Sequence, residues 1–383
     1  MGLKVRSFKL KDRDFGNQWF DKIEDHWDYE DFIEDESWRK QWISFDCLCY
    51  VPQVNTVYAG ITSFDENNIF WGWDISNEQW VSTGYERIAK PFDAKFHRSL
   101  VYHKGHLWAA VAQLHNIDKY GEAPGSPIIR YNPGNNDIER SPAVLPRHYI
   151  QAIALDPERE IIYGITLSPE KLISYDINSG ETKDIGPTGS AIDLAQGENI
   201  ELDDEGNVWG GWTVMRAWQS SAGVDKNRLF RYSPKTGKIE YLKTGLPHPD
   251  GSYGYVKYEG LFNLGTGCLY ASGGNGSIYR IDTKTGRAEY LFTPIEKRRS
   301  RLAAMTLTKD GFAYGVTGRD GKCELLRFDP GTEKYKLLGD IVDEQGTACW
   351  QVHHIIALPD GTLYAGENDN PYRSSYLWEI RLV

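Results

Sequence analysis

The sequence has little cysteine and uses it without pattern. Cys47, Cys49, Cys268, Cys323 and Cys349 are odd in number and scattered, and no CxxC pair occurs. That speaks against a disulfide framework or a cysteine zinc site and favours a reducing compartment. No apolar run reaches the ~18 residues that a membrane-spanning helix needs. The start, MGLKVRSFKLKDRD, lacks the apolar segment of a secretory leader. A soluble, cytoplasmic protein without membrane contacts is therefore expected, with secretion as the alternative if a leader has been removed. Basic blocks are also missing, and the formal net charge is −11, which argues against nucleic acid as a partner.

Aromatic residues and glycine are plentiful. Thirteen Trp, 23 Tyr and 38 Gly stand among 383 residues, as suits strands and flat-ligand sites. A pattern recurs: an apolar run, a tight polar turn, and a second apolar run rich in Tyr, Trp and Gly. It appears as FDCLCYVPQVNTVYAGIT (45–62), RSLVYHKGHLWAAVAQ (98–113), IQAIALDPEREIIYGITL (150–167) and NIELDDEGNVWGGWT (199–213). EGLFNLGTGCLYASGG (259–274), LAAMTLTKDGFAYGVTG (302–318) and HIIALPDGTLYAGEN (354–368) complete seven units. Third runs follow in order (IFWGWDI, IIRYNP, LISYDI, LFRYSP, SIYRID, ELLRFD, YLWEIR), most leading through a Gly, Pro, Asp or Asn turn to a short fourth.

Four short strands repeating every roughly 40–60 residues predict an all-β, seven-bladed propeller. One domain spanning 1–383 is expected, with blades beginning near 44, 97, 149, 198, 257, 301 and 353. The last unit ends at its third strand. LKVRSFKL, within residues 1–10, is expected to supply the missing outer strand of blade seven and close the ring, removing two sheet edges. Residues 15–42, acidic and aromatic without period-2 alternation, predict an irregular or helical excursion on the surface.

Four of the nine histidines lie within KFHRSLVYHKGHLWAAVAQLH, at 97, 103, 106 and 115. In a propeller blade the start of the first strand and the end of the second share one face, and the turn between them lies on the other. His103 and His106 flank that turn and are expected to be ordinary turn residues. His97 and His115 are expected to meet at the channel mouth. The same rule selects Asp65; His148, Tyr149 and Lys171; Asn199 and Arg216; and Lys257, Glu259 and Asn275. Later blades add Arg299, Arg301 and Arg319, then His353, His354, Asn368 and Arg373. The selected face is basic within an acidic protein, which points to an anionic small substrate.

KFHRSL with its strand ending in LH, HYIQAIALDPEREIIYGITLSPEK, and the closing HHIIALPDGTLYAGENDNPYRSSYLWEI together resemble the propeller-type polysaccharide lyases. These seven-bladed enzymes cleave ulvan or the rhamnose–glucuronate bond of gum arabic side chains. The likeness runs in outline over nearly the whole chain, and its specific part lies in blades two, three and seven. It implies β-elimination at a 4-linked uronic acid. His97 and His115 match the family's two histidines, and Tyr149, or else Tyr163, matches its tyrosine. The family's arginine has no counterpart in blade three, where Lys171 stands instead; Arg98 or Arg216 are the substitutes. Lysine lacks arginine's bidentate fork.

Independently of family, a neutral His or a Tyr of depressed pKa suits a general base near neutral pH, and cations aimed at a carboxylate stabilise growing charge. Substrate binding is expected from Arg98, Lys171, Arg216, Arg301, His353, His354 and Asn368, with Trp212, Trp218 and Trp350 available to stack on sugar rings. A monomer without cofactor, acting on an anionic oligosaccharide, is expected. Three alternatives remain open: a glycoside hydrolase using carboxylates such as Asp65, Glu259 and Glu367; a non-catalytic binding platform, though no GH…WD repeat is present; and a divalent metal on His97 and His115 with His353 or His354.

Overall fold

The computed structural model describes residues 2–15, 35–64, 68–113, 120–167, 169–189, 199–213 and 227–383. Among the described residues the regular secondary structure is almost entirely strand, in the order expected of a seven-bladed β-propeller. The first strands of the blades are Ser44–Val51, Leu100–His103, Tyr149–Asp156, Glu201–Leu202, Tyr258–Asn263, Leu302–Leu307 and Val352–Ala357. Each pairs antiparallel with the next strand of its own blade.

The chain divides into two compact units. The first comprises Met1–Arg147, Arg319–Glu324 and Leu338–Val383; the second comprises His148–Gly318 and Leu325–Leu337. In the first unit, the N-terminal strand Leu3–Lys9 pairs antiparallel with the C-terminal strand Tyr376–Leu382 over seven residues, from Leu3↔Leu382 to Lys9↔Tyr376. The last blade thus acquires the fourth strand that its own stretch of sequence lacks.

Turn chemistry fixes the strand registers. Lys104 (φ 46°) and Gly105 (φ 84°) both take positive φ, as a two-residue hairpin of matching twist requires. His103 and His106 consequently face each other across the turn, as expected. In the outer loops Asp74, Asp176, Asp282 and Asp329 each accept backbone N–H groups two and three residues on. This explains the recurrent aromatic–Asp turns: the carboxylate substitutes for a backbone acceptor.

The second strands carry glycine because another segment packs against them. A Cβ on Gly60 would lie 2.5 Å from Phe96 Cβ and 2.6 Å from Cys47 Sγ, both buried. Gly60→Ala should therefore destabilise the protein by about 1–3 kcal/mol through overpacking, read as a lowered urea midpoint. An unchanged midpoint would mean that Phe96 and Cys47 can move aside freely.

Of the excursion at 15–42, residues 16–34 lie outside the described part. Beyond them stands a short helix, Glu36–Gln41, capped by Asp35, whose Oδ1 accepts from the backbone N–H of Ser37 (2.9 Å) and Trp38 (3.3 Å). Trp38 stacks on Phe15 at 4.0 Å, and Trp42 is buried beside them. The indole N–H of Trp42 donates to the carbonyl of Asn370 at 3.1 Å, which ties this segment to the last blade.

Candidate functional site

Period-2 alternation breaks near the start of the first strand in five blades. The pairing skips a residue between Phe45 and Cys47, Ile150 and Ala152, Tyr258 and Gly260, and Val352 and His354, and skips two between Leu302 and Met305. A β-bulge at such a point turns a side chain away from the sheet's regular faces. Four of the skipped residues are polar and buried: Asp46 (2% exposed), Gln151 (7%), Glu259 (8%) and His353 (2%). Their sequences share a form, FDCL, IQAI, YEGL and VHHI: apolar, polar, any residue, apolar. Asp46 and Gln151 were not anticipated, although this broken alternation marked them.

Within the first unit the bulges bring one cluster together. Strand Ser44–Val51 lies between Val352–Ala357 and Leu100–His103 and contacts both. The Asp46 carbonyl is 2.8 Å from His353 Nδ1. A carbonyl only accepts, so Nδ1 carries a proton. The next histidine is the reverse case: the Leu48 backbone N–H donates to His354 Nδ1 at 3.3 Å, so neutral His354 carries its proton on Nε2. The His97 ring meets that of His353 edge-on at 4.6 Å, and His97 and Arg98 are 4% and 7% exposed. The Asp46 carboxylate accepts from Thr62 Oγ1 at 2.5 Å.

His354 is only partly covered, yet burial and then the Arg98 guanidinium push its pKa down from 6.5 to about 4. His354 protonates near pH 6.5 in the unfolded chain but only near pH 4 in the fold. Between those values the unfolded state binds more protons, so stability falls as pH drops through that window. The loss is on the order of 2–3 kcal/mol. His354→Gln should remove this contribution, so that between pH 7 and pH ~4.5 its urea midpoint falls less than the wild-type midpoint. Identical pH slopes for the two proteins would contradict the burial of a neutral imidazole.

Several expected site residues have other work. Tyr163 sits in mid-strand opposite Ala154 and Ser174, inside an apolar cluster with the Tyr232 ring at 5.7 Å. Burial raises its pKa, the opposite of what a phenolate base needs, so Tyr163 is a core residue. Lys171 opens the third strand of its blade rather than ending the second, and its ammonium pairs with Asp184 at 2.6 Å in a half-exposed contact. Arg301 grips Glu259 at 2.5–2.6 Å, and Arg373 grips Glu367 through two nitrogens at 2.7 and 2.9 Å. These acids neutralise two of the cations that had been counted towards a basic face. Asn199 brackets the Leu261 backbone, donating to its carbonyl and accepting its N–H at 2.8 Å each. Asn275 accepts from Ser277 within a turn.

Tyr149 begins its strand opposite Leu167, half-buried. The Trp212 indole donates to the Leu242 carbonyl at 3.0 Å, and its ring meets Tyr241 at 5.1 Å. Asn368 is buried, and its side chain donates to Asp369 Oδ2 at 2.8 Å. His115, Arg216, Asp65 and Trp218 lie outside the described residues. Among the described residues no group of three or more His, Cys, Asp or Glu side chains is placed to hold a metal ion, and no helix is long and apolar enough to cross a membrane.

No protein-family model matches the chain, and no curated protein matches it. Solved structures do. The extracellular domain ascribed to a one-component system of B. thetaiotaomicron aligns with TM-score 0.58 at 14% identity, over 87% of this chain. The chain spans 38% of that protein's length. The WD40 repeats of RRP9 align with TM-score 0.58 at 10% identity, over 89% of this chain and 95% of theirs. The Cps50 (Swd1) β-propeller domain of Myceliophteria thermophila gives 0.55 at 12% identity, over 89% and 96%. At these identities the likeness is one of fold, and the fold is the β-propeller.

Proposed function

We propose that the chain is a carbon–oxygen lyase that cleaves glycans at a 4-linked uronic acid by β-elimination, with its reaction centre at His97, Arg98, His353 and His354. The observation that carries this reading is the buried cluster in one unit: the His97 ring meets that of His353 at 4.6 Å, and the adjacent Arg98 is 7% exposed. β-Elimination needs a cation at the uronate carboxylate, because negative charge flows onto that group as the C5 proton leaves. It also needs a group that is unprotonated at ordinary pH to take the C5 proton. The C5–H electron pair becomes the C4–C5 double bond, the C4–O4 bond breaks, and the departing oxygen takes up a proton. His97, in ring contact with His353, is assigned the C5 proton. The resemblance gives the remaining transfers to His115 and Tyr149.

A glycoside hydrolase fits less well. Glu259 and Glu367, two of its three candidate carboxylates, are each engaged in an ion pair with an arginine rather than facing a substrate as a pair. Product mass separates these readings. Incubation with uronate-containing glycans should give a new non-reducing end lighter by one water than a hydrolysis product. Products that have gained water would overturn the lyase assignment, and binding without any cleavage would identify a carbohydrate-binding propeller.

A further inference from the structure

The spacing of the five cysteines gives no sign that any two meet, but the first unit brings Cys323 and Cys349 together. Ile341 joins them: its backbone N–H donates to the Cys323 carbonyl at 2.9 Å, and its carbonyl accepts from the Cys349 N–H at 3.0 Å. The Trp350 carbonyl, one residue past Cys349, accepts from the Gly321 N–H at 3.1 Å and from Cys323 Sγ at 3.3 Å. Cys323 Sγ is thus aimed at the residue next to Cys349, and the two thiols lie within hydrogen-bonding reach of each other. Both residues are buried, at 2% and 0% exposure, and neither is in a disulfide. Cys47 and Cys268 turn to other groups, the Phe96 carbonyl and the Thr266 hydroxyl, each at 3.3 Å.

We propose that Cys323 and Cys349 are an oxidisable dithiol, which hydrogen peroxide closes into an intrachain disulfide. The Cys323 thiolate attacks one peroxide oxygen, the O–O bond breaks, and hydroxide leaves and takes up the proton that Cys323 released. Cys323 is then a sulfenic acid. Cys349 attacks that sulfur: the S–S bond forms, the S–O bond breaks, and the hydroxyl departs as water with the Cys349 proton. The two thiols lose two electrons and the peroxide gains them, leaving one disulfide and two waters. Sulfurs that already adjoin have only to close to about 2 Å. The thiolate is the reactive form, and burial pushes the Cys349 thiol well above its ordinary value, so closure is slow at neutral pH and faster as pH rises. In a reducing compartment such a bond is transient and responds to oxidant. Cys349 stands just ahead of Val352–Ala357, and the next N–H, that of Trp350, donates to Glu367 at 2.7 Å. The cross-link therefore fixes the entry to the strand that carries His353 and His354, whether or not the protein is a lyase.

The test treats the full chain with hydrogen peroxide, blocks the remaining thiols with iodoacetamide, and maps unreduced peptides by mass spectrometry. A peptide pair joined through Cys323 and Cys349, lighter by two hydrogens, is the expected product, and dithiothreitol should restore both thiols. Its rate of formation should rise between about pH 7 and about pH 9. The oxidised protein should unfold at a higher urea midpoint than the reduced protein, because the cross-link restricts the unfolded chain. Cys349→Ala should abolish both the linked peptide and the midpoint difference, whereas Cys47→Ala and Cys268→Ala should keep them. The peptide map of the wild-type protein decides the matter even where a variant fails to fold. Linkage between other cysteines, oxidation to sulfinic acid without a cross-link, no oxidation at either residue, or a lower urea midpoint after oxidation would each overturn the proposal.

Discussion

His97→Ala should lower kcat/KM on a uronate glycan by about 10²–10⁴-fold, the usual contribution of a positioned acid–base group. His97 is 4% exposed and packs its ring against that of His353, which the Asp46 carbonyl orients. Losing His97 therefore removes the proposed proton acceptor and the wall that holds His353 on that side. A folding defect is separated from a catalytic one by the fluorescence spectrum and the urea midpoint, because thirteen tryptophans report on packing. A folded His97→Ala protein with wild-type turnover would remove His97 from the mechanism. Arg98→Ala is expected to act differently: KM rises along with the fall in kcat, because the guanidinium meets the carboxylate in both ground and transition states.

The largest effect on stability should come from Glu367. Its Oε1 accepts from the Trp350 N–H (2.7 Å), Asn370 Nδ2 (3.1 Å) and Arg373 Nη2 (2.9 Å). Its Oε2 accepts from Arg373 Nη1 (2.7 Å) and the Tyr376 N–H (2.8 Å). The Glu367 side chain is inaccessible to solvent, and the Arg373 guanidinium also lies 3.7 Å from the Tyr376 ring centroid. Glu367→Leu leaves the buried Arg373 guanidinium without its counter-charge, bonded to the Ser374 and Ala348 carbonyls alone, and leaves two backbone N–H groups without an acceptor; it should cost about 3–5 kcal/mol. The double variant Glu367→Leu/Arg373→Met removes the uncompensated charge and should recover part of that loss. Urea unfolding of the wild-type protein and the two variants decides this. A Glu367→Leu change below about 1 kcal/mol would mean that water reaches the pair.

The fold was legible because its signals are local and repeated. Hairpin turns such as HKGH, aromatic–Asp loops and the missing strand of the last blade all came from backbone rules that act within a few residues. The site was legible only in part. His97, His353 and His354 were reached by asking which strand ends share a face, Arg98 as a substitute for the resembled family's arginine, and the structure places all four in one unit. Asp46 and Gln151 were missed because a bulge shifts the side-chain period by one, and a reading that assumes strict alternation assigns them to the wrong face. Arg301 and Arg373 looked like free cations because their partners, Glu259 and Glu367, are set by packing rather than by spacing in the chain. Tyr163 was the second match to the resembled family's tyrosine, and its packing partners include Tyr232, nearly seventy residues away in sequence.

The most direct measurement is the ultraviolet absorbance of a uronate glycan incubated with the protein, since elimination creates a double bond conjugated to the carboxylate and hydrolysis does not. A steady rise with wild-type protein, reduced at least about a hundredfold in His97→Ala and Arg98→Ala, is the expected result. A flat trace across glucuronate-, iduronate- and galacturonate-containing glycans, from a protein that binds them, would contradict the lyase assignment.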